Sequence, residues 1–510
     1  AARFLDFALA GNISAVAVGK AKYSLILEAS GGILDDLIVY RLTQEKFMVV
    51  ANAANVRRVY EELLARASGY TSEVRDASAE WGLIAVQGPS SALIVAEEDT
   101  GCSSQLLVPS TRLAWAAMCS NWFNNPASRL KLVGVTGTNG KTSTTYMLKS
   151  LLESCGYRVG LVGTIQNMIG DRVLPASHTT PDPYDLHSLF ALMVAEGCTH
   201  AVMEVSSHAL DQDRVAGITY DTAIFTNLTQ DHLDYHKTME NYLESKKKLF
   251  KQAKCAIVNM DDTWMPKLVD GLTCPVVTYS AYKDEADYTA KNIRPKPDGV
   301  DFELVGTGAI GRIRLPIPGM FSVYNALAAA AGALSLGIQF DKVTESLSKV
   351  KGIKGRAEIV PTGRDFTVVI DYAHTPDGLE KICKTMKECC QGRLVTLFGC
   401  GGDRDRTKRP IMGKIASEIS DFVIITSDNP RTENPGAIIE DILKGVPKNT
   451  KYKVIENRIE AIHWAIENAQ PGDTILLAGK GHETYQILAD RTIHLDEREV
   501  VADALKKLGN

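Results

Sequence analysis

The stretch "GVTGTNGKTSTT", residues 134–145, decides how this chain is read. It misses the phosphate-loop spacing G-x-x-x-x-G-K-[ST] by one residue: the pattern needs glycine at 135, where Val135 stands, and Gly134 lies one place early. Around it, "LKLVGVTG" is an apolar run of strand character, "TNGK" a turn, and "TSTTYMLKSLLESCG" an amphipathic helical pattern ending at Gly156. A strand that runs into glycine-rich backbone and then a helix points unpaired N–H groups at an anion from the positive end of the helix dipole. Gly137, Thr138, Asn139 and Gly140 would supply that backbone. Lys141 can bridge terminal phosphates as a point charge, and Thr142, followed by Ser143, offers a hydroxyl to Mg²⁺. The pattern predicts a nucleotide site.

Outward from the loop, three regions read differently. At 510 residues the chain is long enough for about three domains. Residues 1–93 carry the extended runs "LIVYRLTQEKFMVVANAA" and "WGLIAVQGP" around a helical pattern, "VRRVYEELLARASGY", which is an α+β reading. Residues 129–355 alternate strand and helix. "THAVMEVSSH" and "YDTAIFTNL" are buried-strand candidates and "YNALAAAAGALSLG" is a small-residue helix, so a parallel sheet covered on both faces is expected. From 356 to 510 the alternation restarts with "DFTVVIDYAH", "RLVTLFGCGG", "DFVIITSDNP" and "DTILLAGKGHE", a second α/β sheet.

Composition removes several classes. A net charge of −5 offers no basic excess for a nucleic-acid backbone. No apolar run approaches a membrane span, and no signal-peptide pattern opens the chain. Ten scattered cysteines without a C-x-x-C pair suggest reduced thiols in a cytoplasmic protein rather than a disulfide or metal framework.

"GVTGTNGKT", "HTTP", "MEVSSHALDQDR", "TNLTQDHLDYH", "YNALAA", "GRAE" and "DYAHTP" succeed one another in an order and at distances that resemble the Mur ligase family, from about residue 94 to the C-terminus. The displaced glycine is normal for that family. The resemblance implies a central P-loop ATPase domain and a C-terminal Rossmann-like α/β domain. It also implies amide-bond formation in which ATP phosphorylates a carboxylate and an amine displaces the phosphate. Such chemistry needs charge neutralisation more than a base. By resemblance, Lys141, Glu204, His232 and Lys246 are catalytic, and Thr142, Glu204, His232 and Lys246 hold Mg²⁺, the lysine as a carbamate. Counting from His232 favours Lys246 over Lys247 within "SKKK". Asn325, Arg356 and Asp371 would complete the ATP site, with His374 supporting the wall at the domain boundary.

Within the family, "SDNPRTENP" resembles the signature of members that add meso-diaminopimelate to UDP-N-acetylmuramoyl-L-alanyl-D-glutamate in peptidoglycan synthesis. Diaminopimelate carries one carboxylate more than lysine, and a guanidinium can pair with it bidentately. The resemblance therefore assigns Arg404, Asp428, Asn429, Pro430, Arg431, Gly479 and Glu483 to the amino acid, with Glu483 suited to its ammonium group. It assigns Thr179, Thr180, Ser206, Gln212 and Arg214 to the UDP-linked substrate. Both substrates are small molecules, and a monomer is expected.

The first 90 residues do not fit this family. "GKAKYSLILEASGGILDDLIVY", "RLTQEKFMVVANAANVRRVYEELL" and "VRDASAEWGLIAVQGP" together resemble a fragment of the aminomethyltransferase (T protein) of the glycine cleavage system. By that resemblance Asp35 would act on the folate, and Tyr23 and Asn52 would lie near its pocket. "ALIVAEED" and "VPSTRLAWAAMCSNWFNNPASR", within 94–128, look like the last strand and helix of the ligase's own first domain. That strand would lack its sheet unless the foreign segment supplies one. The alternatives are an impaired fusion, a folate-binding protein, and another amide ligase of the family, such as the lysine-adding form or a folylpolyglutamate synthase.

Overall fold

The apolar runs around the glycine loop become neighbouring strands because each is buried on both faces. Lys131–Thr136, His200–Glu204 and Thr222–Phe225 lie side by side and parallel at the centre of a sheet, buried apart from Lys131 at its start. Such runs satisfy their backbone only inside a sheet covered by helices. The computed structural model describes residues 1–28, 31–52, 55–78, 94–98, 105–296, 298–350 and 352–508, which form two compact units, Ala1–Cys119 and Ser120–Asn510.

In the second unit, the described residues build an eleven-stranded sheet and a six-stranded one. The larger sheet is parallel through Val159–Val162, His200–Glu204, Lys131–Thr136, Thr222–Phe225, Ala256–Asn259, Val276–Ser280 and Tyr288–Lys296. Antiparallel strands extend it at both edges: Asn167–Ile169 with Arg172–Leu174, and Gly299–Gly306 with Ala309–Leu315. The expected parallel sheet is therefore its centre, and the hairpins at its edges were not anticipated. The helix Met320–Ser335 buries Ala328, Ala329, Ala330 and Ala331, small residues that let it lie close to the sheet. At Gly332 a Cβ would come within 2.8 Å of Ile224 Cδ1.

The six-stranded sheet runs Glu358–Val360, Thr367–Asp371, Thr474–Ala478, Leu394–Phe398, Phe422–Ile425, Tyr452–Val454, parallel except for its first pair. These strands correspond to the four apolar runs read from the sequence, with one short strand added at each edge. Their C-terminal ends carry residues 371–374, 479–483, 399–404 and 426–431, the usual place for a site in an open α/β sheet.

In the first unit, Ala21–Leu27, Ile33–Arg41 and Phe47–Ala51 form an antiparallel meander. The helices Ala2–Ala8 and Val56–Arg66 add Phe4, Leu5, Val59 and Leu63 to a core with Ile13, Ile26, Leu37 and Val39. The run "WGLIAVQGP" lies outside the described residues. Among the described residues, Ile94–Ala96 pairs with Gln105–Leu107 and does not join the meander.

Candidate active site

The glycine loop joins Lys131–Thr136 to the helix Lys141–Ser154, and its shape is enforced by what crowds it. At Gly137 (φ +150°) a Cβ would overlap the Thr226 hydroxyl, and at Gly140 (φ +86°) it would overlap Asn325 Oδ1. Neither position tolerates a side chain. The loop is held from the next strand end: Thr138 N donates to Asn227 O (2.8 Å), Asn139 N to Asn227 Oδ1 (3.0 Å), and Thr226 Oγ1 to Asn139 O (2.7 Å). Lys141 Nζ folds back on the Gly137 and Thr138 carbonyls at 2.9 and 2.8 Å.

Glu204 ends its strand fully buried beside this loop. Thr142 Oγ1 donates to its Oε2 at 3.0 Å, while Thr164 donates from N (2.9 Å) and Oγ1 (3.0 Å). A buried carboxylate touching a helix-start hydroxyl is a hard-oxygen pair that fits Mg²⁺. Ser143 is buried one residue further along the helix. The His232 side chain is 47% exposed, at left-handed φ (+53°), with its ring 4.9 Å from that of His208. No group of three or more His, Cys, Asp or Glu side chains converges to hold a metal among the described residues.

The three consecutive lysines separate by burial. Lys246 is 1% exposed, and its amine donates to Gly137 O at 2.9 Å, the carbonyl Lys141 also uses, and lies 4.5 Å from the Tyr242 ring centre. Lys247 reaches Lys267 O, and Lys248 faces Asp211 and Asp213. Desolvation first, then the neighbouring Lys141 charge, hold the Lys246 amine well below the ordinary lysine range.

Residues assigned to the UDP-linked substrate connect to Glu204 through Thr164 and Thr180. Thr179 Oγ1 meets Thr164 Oγ1 at 3.0 Å. Thr180 Oγ1 donates to the Glu204 carbonyl (2.9 Å) and accepts from Ser206 N (3.0 Å). Arg214 Nη1 donates to Thr180 O (3.1 Å) and its Nε to Gln212 Oε1 (3.0 Å).

The second sheet closes on the loop through named contacts. Arg356 Nη2 donates to Thr142 Oγ1 at 3.3 Å, and its guanidinium lies 5.0 Å from the Tyr372 ring centre. Asn139 Nδ2 donates to Asp377 Oδ2 at 3.0 Å. Asn325 lies against Gly140, with Thr144 Oγ1 at 3.5 Å. Asp371 accepts from Ala357 N (2.7 Å) and Ala373 N (2.8 Å), and burial raises its carboxyl against the opposing pull of Arg356. His374 Nδ1 lies 2.8 Å from Tyr372 O.

Beyond the strand ends of that sheet, polar side chains converge. Asn429 Nδ2 donates to Glu483 Oε2 (2.9 Å), and buried Lys480 bridges Asn429 Oδ1 (3.1 Å) and Glu483 Oε2 (2.8 Å). A Cβ on Gly479 would lie 2.7 Å from Asp428 Oδ2. Arg431, at φ +52° after Pro430, donates to Gly402 O at 2.8 Å, and Arg404 and Arg431 both border Gly401. Thr164, Thr226, Asn227, Asp377 and Lys480 were not singled out from the sequence. Thr164 and Asn227 each come within two residues of the end of a buried strand, a position that could have flagged them.

A phosphate loop, a buried carboxylate, an arginine from the connector before the second sheet and a cluster of Asn429, Lys480 and Glu483 fit an ATP-dependent ligase that joins a carboxylate to an amine. The chain belongs to the Mur ligase family: the Mur ligase middle domain matches residues 135–333, and the Mur ligase glutamate ligase domain matches 355–481. It is 54% identical over 402 residues to the UDP-N-acetylmuramoyl-L-alanyl-D-glutamate–2,6-diaminopimelate ligase of Caldanaerobacter subterraneus subsp. tengcongensis, covering 78% of this chain and 83% of that one. It is 51% identical over 399 residues to ligase 1 of that name from Clostridium acetobutylicum, covering 78% and 82%. A solved structure of a UDP-N-acetylmuramoyl-L-alanyl-D-glutamate–2,6-diaminopimelate ligase superposes with a TM-score of 0.63 at 31% identity, covering 89% of this chain and 90% of that one. The GCVT N-terminal domain matches residues 1–106.

Proposed function

We propose that this chain adds meso-2,6-diaminopimelate to UDP-N-acetylmuramoyl-L-alanyl-D-glutamate in peptidoglycan synthesis, forming ADP and phosphate. The observation that carries the choice of amino acid is Arg431, whose guanidinium lies against Gly401 and donates to Gly402 O, near Asn429 and, through it, Glu483. A guanidinium matches the extra carboxylate, and Glu483 matches an ammonium. The relatives named for the same reaction add support.

In this reading the substrate carboxylate oxygen attacks the γ-phosphorus of ATP and ADP leaves. The amine then attacks the acyl carbon, phosphate leaves, and the amine gives up its proton. Lys141 and the N–H groups of 137–143 orient the phosphates, Arg356 stabilises charge developing on them, and Asn325 and Asp371 hold the nucleoside. Thr142 and Glu204 would hold Mg²⁺, joined by His232, and the ion supplies further charge neutralisation. Lys246 as a carbamate would add an anion beside Gly137. Its buried, depressed amine supports that modification, because carbamylation consumes a neutral amine. Thr179, Thr180, Ser206, Gln212 and Arg214 seat the UDP-linked peptide. Closure of the second sheet over the loop excludes water from the acyl phosphate.

The domain limits that go with this reading are 1–93, 94–128, 129–355 and 356–510. The protein acts as a cytoplasmic monomer on small molecules. No described helix is long and apolar enough to cross a membrane. Arg431→Ala tests the reading: KM for diaminopimelate should rise about 10- to 100-fold while lysine is used no worse. Unchanged use of diaminopimelate would refute the carboxylate-recognition argument.

A further inference from the structure

The helix Glu497–Leu508 begins with two charged residues that the ligation scheme above does not use. Glu497 is fully buried and pairs with buried Arg458 at 2.7 Å. Arg458 donates to Ala478 O (2.8 Å) and Ser427 O (3.4 Å), tying two strand ends together. Arg498 forks onto Glu358, with Nε 2.9 Å from Oε1 and Nη2 against Oε2. The same Nη2 donates to Gly481 O at 3.1 Å, and Asp496 Oδ1 accepts from Nη1 at 3.0 Å.

Glu358 and Gly481 belong to the two segments whose relation decides whether the site is assembled. Glu358 Oε2 accepts from Gly355 N at 2.6 Å, and Gly355 O accepts from Tyr372 N at 3.0 Å. Gly355 (φ +69°) has no room for a Cβ, which would overlap the backbone of Gly481 and His482. Ala357 holds a left-handed φ of +43°, an uncommon conformation for a residue with a Cβ, fixed by its bond to Asp371. Between these two constrained residues, Arg356 leaves for Thr142. Beyond Gly481 lie Glu483 and, through Lys480, Asn429.

We propose that Arg498 is a positioning residue that makes the connector 354–358 and the pocket loop 479–483 one rigid piece, so that seating Arg356 at the phosphate loop and closing the pocket on the amine are a single event. This rests on the ligation reading above but not on which amine is used. A bidentate guanidinium–carboxylate pair with a third bond to a carbonyl fixes orientation as well as distance. Lysine cannot reproduce that fork.

The test uses the full chain with Arg498→Met, Arg498→Lys, Glu358→Gln and the Arg498→Met/Glu358→Gln double variant. Steady-state kinetics with ATP, the UDP-linked carboxylate and the amine are combined with fluorescent-nucleotide binding and thermal melting. Arg498→Met and Glu358→Gln should each raise KM for ATP and for the amine together, by about tenfold, and leave KM for the UDP-linked carboxylate within about twofold. The double variant should be no worse than Arg498→Met, and Arg498→Lys should recover part of the loss. A merely structural role would lower the amount of active enzyme and leave both KM values alone. Unchanged nucleotide affinity in folded variants, or additive effects in the double variant, would overturn the proposal. If Arg498→Met does not fold, Arg498→Lys and Glu358→Gln decide it by the same readings. A wild-type enzyme that turns over a different amine would sink the diaminopimelate reading alone, since nucleotide binding reads the coupling without an acceptor.

Discussion

Asp35 and Glu204 are both buried carboxylates wrapped in donors, one in each unit. Asp35 accepts from Asn52 N (3.0 Å), Asn52 Nδ2 (2.9 Å) and Asn55 Nδ2 (2.9 Å), all within one short segment between a strand and a helix. Glu204 accepts from Thr142, at the start of the helix after the phosphate loop, and from Thr164, just past the end of a neighbouring strand. The first arrangement closes on itself and satisfies a polar group. The second gathers the phosphate loop, Thr180 and, through Thr142, Arg356 from the connector before the second sheet. Burial and hydrogen bonding are shared; what separates them is whether the neighbours can act on a common ligand.

That contrast breaks if the ligase constellation can be dismantled without loss. Lys141→Ala should have the largest effect, lowering kcat by about a thousandfold or more in a phosphate-release assay, because the terminal phosphates lose their fixed charge. Glu204→Gln comes next, at about a hundredfold, with the loss in kcat rather than in KM for the UDP-linked substrate. Parental activity in Glu204→Gln would place Glu204 in the same class as Asp35, and parental activity in Lys141→Ala would overturn the phosphate-loop reading.

His187 sharpens the comparison as a buried group with neither role. Its ring is 1% exposed, neither nitrogen has a hydrogen-bond partner among the described residues, and burial pushes its pKa down from 6.5 to about 4. The unfolded chain therefore takes up a proton that the folded one refuses as pH falls from 6.5 toward 4. Its stabilising neutrality is complete above 6.5 and lost across that window. Thermal melts at pH 7.5 and 5 should show a smaller pH-dependent drop in His187→Leu than in the parent, with ligation at pH 7.5 unchanged. The smallest effect belongs to Asp35→Asn: ligation should be unaltered, while melting or proteolysis of residues 1–119 reports a loss of about 1 kcal/mol.

Much of this was legible in the sequence because the signals are local. The glycine loop needs residues without a Cβ at 137 and 140, and the buried parallel strands need unbroken apolar runs, so both are written within ten residues. The apolar run before Glu204 placed that residue at a strand end, and the strand-then-loop pattern placed Asn429 and Glu483 in loops beyond strands, where they lie. The positions missed depend on distant partners. Arg498 and Glu358 are 140 positions apart, Arg458 and Glu497 are 39 apart, and neither pair has a periodicity or motif to announce it. The edge hairpins escaped notice because their alternation is short and interrupted by charge, as in "RPKPDGVDFELVG".

The most direct test measures phosphate release from ATP by the full chain with the UDP-linked dipeptide present or absent, and with diaminopimelate or lysine as acceptor. The account predicts sustained release only when the dipeptide substrate and diaminopimelate are both supplied, with lysine at least about tenfold poorer in kcat/KM. Release independent of the dipeptide substrate, or equal turnover of lysine, would contradict it.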